Sequence, residues 1–590
     1  MKFKGLKEWH HREEFSNLFF MAQRLDELFF DYTLDTYKPP ALNSIYLCRE
    51  AISLISDIEN DVIDSANLQY VLDELEWSLN SDTVVKNLLN APVSKFLLRG
   101  ESVKLSDTKI RLEVLNRTLN PFLYLKQCEL ILRSELEGGS KKIINEVVRS
   151  YASTLVNHGV SKQHLQEKVN RFFFYGGELS CLDDVCGFFE SVFPVSHDFE
   201  IYFIVSRLIE NVKDSVNAFH ISIIDELPER LASIAAQANL IPAENEVWVS
   251  IEEIETFDRH TARQDAESTL NIVRDLFLLY SHKNRISWRS EAIIVQCCDE
   301  QPIVTRKPKS TMEKCFDLRP EVAATRLNYL IKNIDLKGSS FNKFNRAVDL
   351  HGISSTNDLP ENQLLNIWIA LETLVPSHIS GGGKVVKVCN GIIPVLMKNY
   401  LQRLVVDIVG DLILWSRTKV GRIVKKVSDA KSKNIYQKIT ELISLEEYAE
   451  LRSELYSELG DFHLLRFRVF ELSELFRKPE LLRNKISLHE KKLAWQLRRI
   501  YRTRNLIVHS GRSIPYINTL IENAHDYLDQ TMNMIVEYSC GQLSARSLEQ
   551  AFDMAKLDWE VYFDKLKNIK SIDAECLSDF INYSNKHSSG

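Results

Sequence analysis

Apolar residues recur at intervals of three and four through most of this chain, and the pattern breaks to strict alternation in one central region. That switch constrains the fold more than any other feature, because a helix buries a stripe of period 3.6 and a strand a face of period two. Residues 10–193 have helical spacing, punctuated at Pro39-Pro40, at Gly138-Gly139 and at Gly159 followed by Ser161. Alternation then appears in Phe199, Ile201, Phe203 and Val205, in Phe219, Ile221 and Ile223, and in Val247, Val249 and Ile251, which predicts a small sheet. Residues 262–282 read as a helix with Ala266, Leu270, Val273 and Phe277 on one stripe, and residues 292–297 as one more strand. The polar, Lys- and Pro-containing residues 299–308 read as an exposed connection, followed by a helix over 320–333. From Ser339 onward helical spacing returns, and residues 582–590, rich in Asn, Ser and Lys, read as a frayed end.

A chain of 590 residues with 45% apolar content is too long for one core. The expectation is a mainly α, multidomain protein: a helical domain over 1–195, an α+β domain over 196–335, a helical bundle over 339–550, and a C-terminal helix with its tail over 551–590. No chemical signature stands out before residue 339.

Several function classes fall away on composition. The ten cysteines are scattered, and neither Cys181 with Cys186 nor the adjacent Cys297 and Cys298 has the C-x2-C spacing of paired zinc ligands, so reduced thiols are expected. Residues 1–11 lack the apolar core of a signal peptide, and no stretch approaches the roughly 18 apolar residues of a membrane span, which predicts a cytoplasmic protein. His10 and His11 beside Glu13 and Glu14 suggest a metal site only superficially, because helical neighbours point about 100° apart. Gly381-Gly382-Gly383-Lys384 lacks P-loop spacing and follows a helix, so it reads as a turn opening the next helix. No metal and no cofactor is expected. A net charge of −8 requires any nucleic-acid site to be a local basic patch.

The informative segment is KKLAWQLRRIYRTRNLIVHSG, residues 491–511, a helix ending at a glycine suited to a left-handed cap. Leu493, Leu497, Ile500, Ile507 and Val508 form its apolar stripe, and Arg504 falls inside that stripe. A guanidinium there requires a carboxylate, a phosphate or a second copy of the chain. His509 lies five residues on, and its imidazole suits proton transfer at neutral pH. A basic run, Arg417, Lys419, Arg422, Lys425, Lys426, Lys431 and Lys433 with Asp429 alone opposing, and the trio Arg498, Arg499 and Arg502 offer an RNA footprint. A basic run on a helix is also often a solvated face. A second arginine–histidine pair, Arg346 and His351, is followed at once by Gly352 and the polar residues 354–358, and reads as a structural helix end.

Arg504-Asn505-x-x-x-His509, in the last long helix of a helical bundle, resembles the R-x(4-6)-H signature of the HEPN ribonuclease superfamily. The segment Trp368-Ile369-Ala370-Leu371-Glu372-Thr373-Leu374 similarly resembles the A-L-E helix of the ApeA-like, abortive-infection HEPN domains, and the likeness extends over about residues 339–550. The resemblance implies metal-independent RNA cleavage, in which the 2′-hydroxyl attacks the adjacent phosphorus and leaves a 2′,3′-cyclic phosphate and a 5′-hydroxyl. His509 would then manage protons, Arg504 bind the scissile phosphate, and Asn505 orient the pair, with Arg498, Arg499, Arg502, Lys425 and Lys426 holding RNA. Glu372 sits among Leu364, Leu365, Trp368, Leu371 and Val375 and is expected to pair with an arginine of the motif helix.

One histidine does not readily serve as both base and acid, so a homodimer with a composite active site is expected. The resemblance further implies an antiviral toxin cutting tRNA or other cellular RNA on a phage-derived trigger, with the residues before 339 sensing or restraining it. The competing expectation is a non-catalytic helical scaffold that dimerises or holds RNA. A metal-dependent nuclease lacks clustered carboxylates of recognisable spacing.

Overall fold

The computed structural model describes residues 3–4, 13–30, 40–98, 104–176, 179–313, 317–427, 434–541 and 544–581. His10, His11, Asp429, Lys431, Lys433 and the tail 582–590 lie outside the described residues. The protein is mainly helical, with one small antiparallel sheet. No helix among the described residues is long and apolar enough to cross a membrane. The described cysteines form no disulfide.

The chain divides into two compact units, residues 1–150 together with 310–590, and residues 151–309. The reason is visible in the helix Ser16–Phe29, whose side chains are buried almost all round, including Asn17, Gln23, Arg24 and Glu27. A helix without a solvated face needs cover on every side. Much of that cover comes from His463–Arg477, far along the chain: the rings of Phe20 and Phe467 meet edge to face at 4.9 Å, and Gln23 bonds the backbone at Asp461 and Leu464. Glu27 lies between Arg24 and Arg468, both of which donate to it. Burial alone would push the Glu27 carboxyl up, but the two guanidinium groups outweigh it and hold it below the usual range.

The bundle that carries the motif belongs to the same unit. Gly338–Thr356, Pro360–Leu374, Lys384–Lys398, Pro479–Ser510 and Ile517–Ser539 are its principal helices. Gly383 stands at the N-cap of Lys384–Lys398. The first of these helices does not end at Gly352. It continues to Thr356, with Ser354, Ser355 and Thr356 each bonding the carbonyl four residues back, so part of the expected polar loop is a helical turn.

The second unit is built on β1 (His197–Ser206), β2 (Ile221–Ile224), β3 (Glu246–Thr256), β4 (Trp288–Gln296) and β5 (Asp299–Arg306), in the order β2-β3-β1-β4-β5. Alternate residues of β1 go to opposite faces. Phe199, Ile201, Phe203 and Val205 pack on Ala262, Ala266, Leu270 and Val273 of the helix Arg259–Leu278. Tyr202 and Ile204 pack with Trp248 and Ile293 beneath Leu231 and Ala235 of Glu229–Gln237. β5 corrects the reading of residues 299–308 as a connection: Ile303 and Val304 pair with Ile294 and Ile293. Pro302 obscured it, yet β5 is an edge strand, where a missing N–H is tolerated.

Candidate active site

Pro479–Ser510 runs for 32 residues, opens on proline and stops at Gly511, whose φ of 61° provides the left-handed cap. Leu493, Leu497 and Ile500 of its expected stripe are buried, Ile507 is half-buried, and Val508 is 49% exposed. The last turn therefore projects beyond the packed part of the bundle. Two N-terminal helices, Ser44–Glu59 and Ala66–Ser81, supply carboxylate partners to the buried part before it.

Arg499 and Arg502 are fastened there and are not available to RNA. Arg499 Nε and Nη2 donate to Glu50 at 3.1–3.2 Å, its Nη2 also donates to Glu74 at 2.5 Å, and Arg502 Nη2 donates to Glu50 at 2.7 Å. All four side chains are largely removed from solvent. Burial would raise the Glu50 carboxyl, but the charges of Arg499 and Arg502 dominate and hold it at about 2. Glu74, desolvated and served by Arg499 while standing beside Glu50, is raised. Helical spacing alone could not assign these arginines, because their carboxylates lie more than 400 residues away in sequence.

Arg498 lies with its guanidinium carbon 3.9 Å from the Tyr70 ring centroid, and Lys492 covers Trp77 at 4.6 Å. Beyond the cap, Arg512 donates to buried Asp57 on Ser44–Glu59. The helix carrying the motif is thus clamped before and after it by N-terminal residues in which no chemical signature was read.

Arg504 differs from its neighbours. It is half-buried, its Nη1 donates to Asn505 Oδ1 at 3.1 Å, and its buried Nε has no hydrogen-bond partner. Among the described residues no carboxylate pairs with it. His509, in the last helical turn, is exposed, and its imidazole makes no hydrogen bond to the described residues. Tyr501, one turn before Arg504, meets Trp368 of Pro360–Leu374 with ring centroids 5.5 Å apart, so the helix carrying Glu372 does pack on the motif helix. Glu372 itself is half-buried and forms no ion pair with an arginine of that helix among the described residues. It flanks the face of Leu364, Trp368 and Leu371 and retains access to water, which removes the need for a buried cation.

The basic run divides. The helix Tyr400–Val424 kinks at Ser416, whose hydroxyl then accepts from Lys419 N at 3.3 Å and caps the segment that follows. Lys419 and Lys426 pair with Glu458 and Glu454 at 3.0 and 2.7 Å, whereas Arg417, Arg422 and Lys425 are exposed without an ion pair among the described residues.

Among the described residues, two clusters of side chains of metal-ligand type appear that sequence spacing did not reveal. His197 approaches the adjacent Cys297 and Cys298 in the sheet unit, with Cys298 Sγ 3.1 Å from His197 Nδ1. His351 meets His525 and Asp529 in the helical unit. Comparison with known proteins finds no family model, no curated protein and no solved structure that matches the chain.

Proposed function

We propose that the protein is a metal-independent endoribonuclease of the HEPN type, a bacterial anti-phage effector that cleaves tRNA or other cellular RNA to 2′,3′-cyclic phosphate and 5′-hydroxyl ends. One observation carries this reading: on a single helix, Arg499 and Arg502 have carboxylate partners, while Arg504 has an amide oxygen and an unsatisfied Nε. A guanidinium held in place without an anion is suited to receive a phosphate.

In this reading Arg504 binds the scissile phosphate and the charge that develops on it, Asn505 fixes the guanidinium plane, and exposed His509 transfers the proton. A spacing of five residues separates two side chains by about 140° around a helix and about 7.5 Å along it. One helix does not easily converge both on one phosphate, which favours a site completed by a second copy. Val508, apolar and exposed beside His509, suits such a contact.

The test is incubation of the full chain and of its Arg504→Ala and His509→Ala variants with total RNA, followed by mapping of the ends. The expected result is cleavage by the wild type to cyclic phosphate and 5′-hydroxyl ends, abolished in both variants. A folded, RNA-binding but inert wild type would establish the scaffold instead, and 5′-phosphate products would establish a hydrolytic metal-dependent nuclease.

A further inference from the structure

The second arginine–histidine pair of the chain leads to a different chemistry. His351 Nε2 lies 2.9 Å from His525 Nε2 and 3.5 Å from Asp529 Oδ1, and His525 Nε2 lies 3.6 Å from that same oxygen. His525 and Asp529 are four residues apart on Ile517–Ser539 and so share one face, while His351 is brought to them by Gly338–Thr356.

We propose that His351, His525 and Asp529 bind a divalent transition-metal ion of the zinc class, with a fourth position open to water. Zinc stands about 2.0–2.1 Å from imidazole nitrogen and carboxylate oxygen, so the edges of its ligand tetrahedron are about 3.3–3.4 Å. The three donor separations bracket that value, and the circle through the three atoms has a radius of about 1.9 Å, so an ion at ligand distance from all three sits just off their plane.

A hydrogen bond between two neutral imidazoles accounts for the shortest separation alone. One oxygen of Asp529 stands at nearly the same distance from both nitrogens, at the far limit of a hydrogen bond or beyond it. A shared cation accounts for all three. Two imidazoles with a carboxylate favour zinc and its transition-metal neighbours over magnesium or calcium, which take oxygen donors. His525 is buried, and His351 and Asp529 are partly accessible, so the ion has a lined floor and an entry side. Bound there, it links the first helix of the bundle to the helix that follows the motif, and its binding free energy adds to folding. The inference shares no residue with the RNA-cleaving reading and does not rest on it.

The experiment uses the full chain, stripped with chelator, reloaded with zinc, dialysed and analysed for metal, alongside His351→Gln, Asp529→Asn and Cys297→Ser/Cys298→Ser variants. Both ligand variants change partly accessible side chains, and circular dichroism confirms that they fold. The expected result is about one zinc per chain in the wild type and the cysteine variant, with affinity weakened at least tenfold in His351→Gln and Asp529→Asn. Cobalt in place of zinc is expected to give the visible bands of a four-coordinate ion without sulfur-to-metal charge transfer. A wild type that retains no zinc, or zinc retained by folded His351→Gln and Asp529→Asn, overturns the proposal.

Discussion

Arg499 and Glu50 lie 449 residues apart in the chain and meet through three hydrogen bonds of 3.1–3.2 Å, which fasten the motif helix to Ser44–Glu59. Glu50 also accepts from Arg502, so one carboxylate answers two buried cations. Removing one member of a buried ion cluster leaves the others uncompensated, which costs about 3–5 kcal/mol. Glu50→Gln is therefore expected to lower unfolding stability by that order in denaturant titration, although Glu50 lies far from the motif in sequence.

The same relationship sets a pH dependence. Glu50 is held at about 2 in the fold, below a value of about 4.3 for an unperturbed glutamate. A depressed folded value means that its stabilisation is complete above the unfolded value and lost as pH falls through about 4 toward 2. The stability gap between wild type and Glu50→Gln is expected to be constant at neutral pH and to narrow across that acid window. A gap that widens on acidification would contradict the assignment.

Arg504 is expected to behave in the opposite way from Arg499. With no carboxylate partner, Arg504→Ala is expected to change stability by less than about 1 kcal/mol, whereas Arg499→Ala takes from buried Glu74 its guanidinium partner, leaves Glu50 with Arg502 alone, and is strongly destabilising. Arg504→Lys retains charge but loses the planar fork, and is expected to abolish RNA cleavage while leaving the melting temperature unchanged. Thermal unfolding and a cleavage assay on the same preparations check the two expectations together.

What could be read from residues alone follows from how local each signal is. Period-two alternation marked the strands at 199–205 and 247–251, and the stripe of Ala266, Leu270 and Val273 marked their covering helix, because burial of one face is written within a few residues. β5 was hidden because an edge strand tolerates the Pro and Lys that also mark loops. The arginines of the motif helix all look alike locally, and what separates them is Glu50, Glu74 and Tyr70, supplied by helices hundreds of residues earlier. The neighbours of His351 were hidden for the same reason: His525 and Asp529 lie more than 170 residues away in the chain.

Any RNA footprint is expected to fall on the unpaired members of the basic run. Lys425 is exposed without an ion pair, whereas Lys426 is already engaged by Glu454. Lys425→Glu is expected to weaken RNA binding and to reduce the slope of log affinity against log salt by about 1, with the fold unchanged. Arg498→Ala removes a contact with the Tyr70 ring and is expected to cost about 0.5–1 kcal/mol of stability without altering that slope. Filter binding across a salt series separates the two.

Whether Arg504 and His509 act within one chain or across two is open to a mixing experiment. If Arg504 of one copy and His509 of another serve the same phosphate, a dimer of an Arg504→Ala chain with a His509→Ala chain contains one intact site and one doubly defective site. Random reassortment of equal amounts makes half the dimers mixed, so activity is expected to return to about a quarter of wild type from two inactive parents. A site formed within one chain gives no recovery at any mixing ratio, because every chain then lacks one of its two groups. The spacing of five residues on a continuous helix, with Arg504 half-buried and His509 exposed, favours recovery.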